Sequence, residues 1–220
     1  MAFPVVDSRA LSQTTPANTS HVVTLPSGSG GIVIIAAGFN GEGGLPVITW
    51  PGSMTEFYTG TNVFIKHAGA YGTPGGSSIT ITTDLSIKAA FIAWRISGAE
   101  NPATQPPEAG LATGTSTTPD PPSLSPTGGA KDYLWIAATA GVSGQDVTAA
   151  PASYTDFQDS TTGIAGDDVT TASGERSLNA ASEDPGTFTA VDSERWVAAT
   201  IAVHPSPAVA VELLGAMVTG

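Results

Sequence analysis

The chain writes one seven-residue phrase twice. "PGSMTEF" (51–57) returns as "PASYTDF" (151–157), keeping Pro, a small residue, Ser, Met or an aromatic, Thr, an acid and Phe in order. Two further matches flank it. "LPSGSGGIVIIAA" (25–37) returns as "LSPTGGAKDYLWIAA" (124–138), and "GGSSITITTD…AAFIAWRIS" returns as "DPGTFTAVD…WVAATIAVHP". The offset is near 100 residues and reaches 109 where Ile92-Ala93 meets Ile201-Ala202, as insertions in loops allow. Ordered repetition of this kind makes each half one supersecondary unit. A lone half-sized sheet leaves one apolar face in water, so two such sheets are expected to cover each other.

The units themselves read as strands. "IVIIAAGF" (32–39) is continuously apolar, as in a strand covered on both faces. "SSITITTD" (77–84) alternates with period two. "KAAFIAWRISG" (88–98) places Ile92, Trp94 and Ile96 on one side and Phe91, Ala93 and Arg95 on the other. Gly, Pro and Asn-Gly punctuation separates such runs, and no capped helical stripe interrupts the body. The expected fold is all-β, an antiparallel β-sandwich of jelly-roll type built from two pseudo-repeated halves. Residues 1–18, polar and broken by Pro, read as an N-terminal arm. The sandwich spans 19–206, with half one at 19–98, a Pro-rich extended crossover at 99–130 and half two at 131–206. An apolar tail, "PAVAVELLGAMVTG" (207–220), follows. It either closes the domain's own core or buries on another subunit.

Charge narrows the partners. With 7 Lys+Arg against 19 Asp+Glu, the net charge of −12 disfavours nucleic acid and anionic membranes, both of which need clustered cations. No apolar run is long enough to cross a bilayer as a helix, and "MAFPVVDSRALSQ" lacks the pattern of a secretory signal. There is no Cys, which excludes disulfides and thiolate metal sites.

Candidate chemistry is thin. His21, His67 and His204 are far apart in sequence and read as core or edge residues. "GVSGQ" around Ser143 is not a nucleophile elbow. Asp167-Asp168 and Glu183-Asp184 are adjacent pairs in Gly-flanked loops, and on a strand each pair would point to opposite faces. With Asn40 and Glu42 of "FNGEGG" they are the residue types for a Ca²⁺ loop, but no D-x-D-x-D-G run supports one. Trp50, Trp94, Trp135 and Trp196 sit in apolar segments and read as core. A sugar-binding surface would instead expose Trp50, Tyr58 and Tyr71 together. No catalytic residue, metal or cofactor is expected.

"HVVTLPSG…GIVIIAAGFNG…ITWPGSM", "AAFIAWRISGA", "DYLWIAA" and "WVAATIAVHP" together resemble a family of tailed-bacteriophage structural proteins: β-sandwich virion domains of minor tail, head-fibre and capsid-decoration type. The resemblance covers about residues 19–206 and carries no catalytic residue. It implies a non-enzymatic virion protein, assembled in the host cytoplasm, that decorates and stabilises the capsid. Its implied partners are the major capsid protein or other virion proteins, with a second copy of the chain and a host-surface glycan as further candidates. A minor tail or fibre protein and a carbohydrate-binding adhesin are the alternatives. The residues expected to touch neighbours are Phe3 and Val5 in the arm, and Val209, Val211, Leu213, Leu214 and Met217 in the tail.

Overall fold

The computed structural model describes residues 2–142, 146–163 and 165–207. Thirteen strands and no helix occur among them. The first half supplies β1 (Val5–Thr24), β2 (Ile32–Asn40), β3 (Ile48–Thr49), β4 (Met54–Asn62), β5 (Ile65–Gly72) and β6 (Ser78–Ser97). The second supplies β7 (Glu108–Ser116), β8 (Lys131–Val142), β9 (Val147–Ala149), β10 (Thr155–Thr161), β11 (Val169–Ala180), β12 (Thr189–Ala190) and β13 (Glu194–Val203).

The two halves have one topology. The first sheet runs β1-β6-β2-β5-β4 and the second runs β7-β13-β8-β11-β10, with every pairing antiparallel. Each strand on one of these paths has its counterpart at the same place on the other, while β3, paired with β6 beside the path, has none. The register repeats too: Ala36 faces Ile92 across β2 and β6, and Ile136 faces Ile201 across β8 and β13. The repeated phrase marks the same turn in both copies, where the Met54 N–H donates to the Pro51 carbonyl (2.9 Å) and the Tyr154 N–H to the Pro151 carbonyl (2.8 Å). Where a jelly roll deals consecutive strands to both sheets, each half here keeps its main strands in one sheet, and only β9 and β12 of the second half pair apart.

The sheets pack face to face as one sandwich. Ile34, Ile92, Trp94 and Ile96 meet Leu134, Ile136, Ala199 and Ile201 in the central core. Alternation sends the intervening residues to the outer faces, which are also covered. In the first half the β1–β6 ribbon shifts register between Thr14 and Ser20. Its distal limb lies with β3 over the outside of its own sheet. Val23, Leu25 and Ile81 thereby pack on Val33, Ile35 and Phe91. In the second half, residues 117–119 with β9 and β12 cover Tyr133 and Trp135 through Val147, Phe188 and Ala190. This double covering is why "IVIIAAGF" and "DYLWIAA" are apolar without alternation.

Two expected boundaries change. Residues 1–18 are not a separate arm: Val5–Thr14 pair continuously with Ala89–Ser97, apart from one bulge near Asp7. The stretch is polar because an edge strand buries only part of its surface. Residues 99–130 are likewise not a plain connector, since Glu108–Ser116 form the edge strand β7 against β13. The segment "EAGLATGTS" hides its alternation in small residues. Gly114 must be small because a Cβ there would lie 2.3 Å from the Trp196 ring. Residues 208–220, and with them Val209, Val211, Leu213, Leu214 and Met217, lie outside the described residues.

Candidate functional site

The residues flagged in the sequence are mostly structural. His21, His67 and His204 are buried. Their Nε2 atoms meet Thr83 Oγ1 (2.9 Å), the Tyr58 hydroxyl (3.1 Å) and Glu108 Oε1 (2.8 Å). Burial holds His21 down to about 4 and His67 down to about 3, so both rings are neutral at ordinary pH. Trp94, Trp135 and Trp196 are core residues as expected. Trp135 and Trp196 donate to the Leu178 carbonyl and Ser116 Oγ, whereas the Trp94 indole N–H is buried without a partner.

The Asp167-Asp168 pair lies in a loop, as its Gly-flanked setting implies. Asp167 and Asp168 sit in a turn, so both reach one ammonium: Lys88 Nζ lies 2.9 Å from Oδ1 of each. Burial pushes Asp168 up, but hydrogen bonds from Lys88, the Ala165 N–H and Thr162 outweigh it and lower its pKa. Asn40, Glu42, Lys88 and Asp167 line one cavity of about 260 Å³, so the two sequence-flagged cation loops do converge. Lys88 already occupies the cationic position between the acids. Glu183 is paired with Arg176 at 2.6 Å. Among the described residues, no group of three His, Asp or Glu side chains is placed to hold a metal ion.

Trp50, Tyr58 and Tyr71 do not form one platform. Trp50 packs on the outer core of the first sheet and donates to Glu56 (2.7 Å). Tyr58 is buried in the central core, and Tyr71 packs beside it. Of the nominated N-terminal contacts, Val5 is exposed and Phe3 half-buried.

The feature that composition did not reveal lies at the tip of the β4–β5 hairpin. The Phe64 N–H donates to the Asn62 carbonyl (2.6 Å), closing a tight turn around Val63. Val63 has φ 52°, a left-handed conformation that is strained for a β-branched residue. It is also 57% exposed, with Phe64 at 37%, Leu45 at 40% and Val47 at 63%. The loop 41–47 is tied to this turn, since the Gly41 N–H donates to the Phe64 carbonyl (2.6 Å) and Lys66 Nζ to the Pro46 carbonyl (2.9 Å). The Arg195 guanidinium stacks over the Phe64 ring at 4.9 Å. The result is an apolar tip on a rigid base. The Asn-Gly turn at Asn40-Gly41 was readable in the sequence, but nothing in "NVFIKHA" (62–68) signals a left-handed valine.

The chain matches no family model, no curated protein and no solved structure.

Proposed function

We propose that the chain is a non-enzymatic structural protein of a tailed-phage virion that docks on neighbouring capsid subunits and stabilises the shell. The observation that carries this reading is the apolar tip around Val63. Asn or Gly would adopt the left-handed turn without strain, and a valine there costs about 1–2 kcal/mol. Backbone strain held at an exposed apolar side chain is characteristic of a contact surface rather than of solubility. The base beneath it suits load-bearing: two sheets with matching topology, each covered on both faces. Many weak contacts of this kind add up across a symmetric shell. A minor tail or fibre location would use the same tip on a different neighbour.

The test is addition of purified protein to undecorated capsids from the phage that encodes it. Wild-type protein should co-sediment and raise the capsid melting temperature. Val63→Asn should raise the protein's own Tm by about 2–8 °C, since each of the 1–2 kcal/mol corresponds to about 2–4 °C at this size. The same variant should weaken capsid binding at least tenfold. Binding unaffected by Val63→Asn and Phe64→Ser removes the tip from the interface. No binding to capsids, with retention on a glycan array, favours the adhesin instead.

A further inference from the structure

We propose that Arg95 and the two glycine loops around it form a binding site for an oxyanion, a carboxylate or a sulfate-like group. Arg95 lies near the end of β6 and is 6% exposed. Its guanidinium donates from Nε to the Pro26 carbonyl (3.1 Å) and from Nη1 to the Gly30 carbonyl (3.2 Å). Among the described residues no carboxylate pairs with it, whereas Arg9, Lys88 and Arg176 each hold at least one acid. A guanidinium is a permanent cation, and a buried one without a counter-ion is strongly disfavoured.

The second half of the chain shows what the first half lacks. By register Arg95 faces Val33, and the repeat carries this pair onto His204 and Tyr133, whose rings lie 5.1 Å apart. His204 does have an acid, Glu108 Oε1 at 2.8 Å. The same carboxylate accepts from the Thr127 N–H (2.9 Å) and the Thr127 hydroxyl (2.6 Å), at the head of the glycine turn 127–129. Glu108 faces Ala202 in β13, and the residue facing the equivalent Ala93 in β6 is Ala10. The first half has therefore strengthened the cation from imidazole to guanidinium and deleted the carboxylate.

Space and donors for a replacement are present. Arg95 lines a cavity of about 340 Å³ with Gly28, Ser29, Gly30 and Gly31 on one side and Thr73, Gly75 and Gly76 on the other. Gly30 and Gly31 have φ of 86° and 67°, and Gly76 has φ 83°, left-handed values that glycine adopts without strain and that keep side chains out of the cavity's rim. A Cβ built on Gly30, Gly75 or Gly76 meets nothing within 4 Å, so these loops face open space. A guanidinium facing a cavity edged by bare glycine backbone can receive an oxyanion through charge-assisted hydrogen bonds. The nearby Asp7 is engaged by the Ser97 hydroxyl at 2.9 Å.

The test is NMR titration of the full chain with sodium sulfate and, separately, with N-acetylglutamate, each at ionic strength fixed with sodium chloride. The Arg95 Nε–Hε signal and the amides of Gly28, Gly30, Gly31, Gly75 and Gly76 should shift saturably. Ala10→Glu supplies the acid that the second half already has at the exposed edge. It should weaken the binding at least tenfold without unfolding the chain. Arg95→Lys, which keeps a cation but loses the planar fork, should weaken it less. Saturation by sulfate alone identifies a free tetrahedral anion as the source. Tighter binding of N-acetylglutamate identifies a carboxylate displayed by a partner. If neither compound gives a saturable shift, or if Ala10→Glu binds as wild type does, the guanidinium serves only to brace the loop 26–31 and the proposal fails.

Discussion

Replacing Arg9 by Met tests whether the two halves are held in register by charge as well as by packing. Arg9, on the first half's edge strand β1, reaches across to Glu175 on β11, with Nε–Oε1 at 2.6 Å and Nη2–Oε2 at 2.5 Å. The acid's side chain is 5% exposed and the arginine's 25%. Met leaves a buried carboxylate facing no counter-ion. Breaking a buried pair costs about 3–5 kcal/mol, and partial exposure of Arg9 places this case near 3. At about 2–4 °C per kcal/mol for a chain of this size, Tm should fall by about 6–12 °C. Glu175→Leu added to Arg9→Met removes the stranded charge, and the double variant should return to within about 1 kcal/mol of wild type. Urea unfolding of the four proteins gives the double-mutant cycle, read at constant m-value. A single variant within 0.5 kcal/mol of wild type would refute the reasoning. So would a double variant as unstable as the single, because the penalty would then come from packing and not from an uncompensated charge.

Stability should fall in acid because His67 and His21 stay neutral in the fold. An unfolded histidine titrates near 6.5 and folded His67 near 3, so its contribution is complete above pH 6.5 and is lost as pH falls through that window. Unfolding free energies from urea titrations between pH 7 and 4.5 should drop by up to about 1.4 kcal/mol per pH unit for each ring, and His67→Gln should flatten the slope. Asp159 has the opposite sign: burial, then Asp146, raises it to about 6, so its ionised form disfavours the fold at neutral pH. Asp159→Asn should therefore stabilise by about 1 kcal/mol at pH 7 and change little at pH 4. Gly69→Ala would bring a Cβ within 2.0 Å of the buried Tyr58 ring. About 3 kcal/mol should be lost there, visible as a changed near-ultraviolet spectrum, while Gly43→Ala, with open space around it, leaves the midpoint unchanged.

What the sequence made legible was whatever a core imposes on both copies. The apolar runs at 32–39 and 133–138 repeat because each is covered on two faces, and the Pro51 and Pro151 turns repeat because each starts the same hairpin. Even there the likeness stops at the side chains. Phe57 packs toward the central core while Phe157 packs on the outer one, because the register shift in β10 runs from Thr155 to Gln158 and that in β4 from Glu56 to Tyr58. Edge strands were illegible because they answer to fewer constraints. β7 needs only a neighbour's backbone and small residues such as Gly110 and Gly114, and β1 tolerates polar residues along its exposed side. Candidate sites were harder still, because neither follows from the shared pattern. Val63 is informative only once its φ is known, and Arg95 only once register makes it the counterpart of His204 and makes Ala10 the counterpart of Glu108. In a duplicated fold the conserved grammar marks what both halves need to pack. The positions outside that grammar — a strained valine, a cation without its acid — are where the two proposed contacts lie.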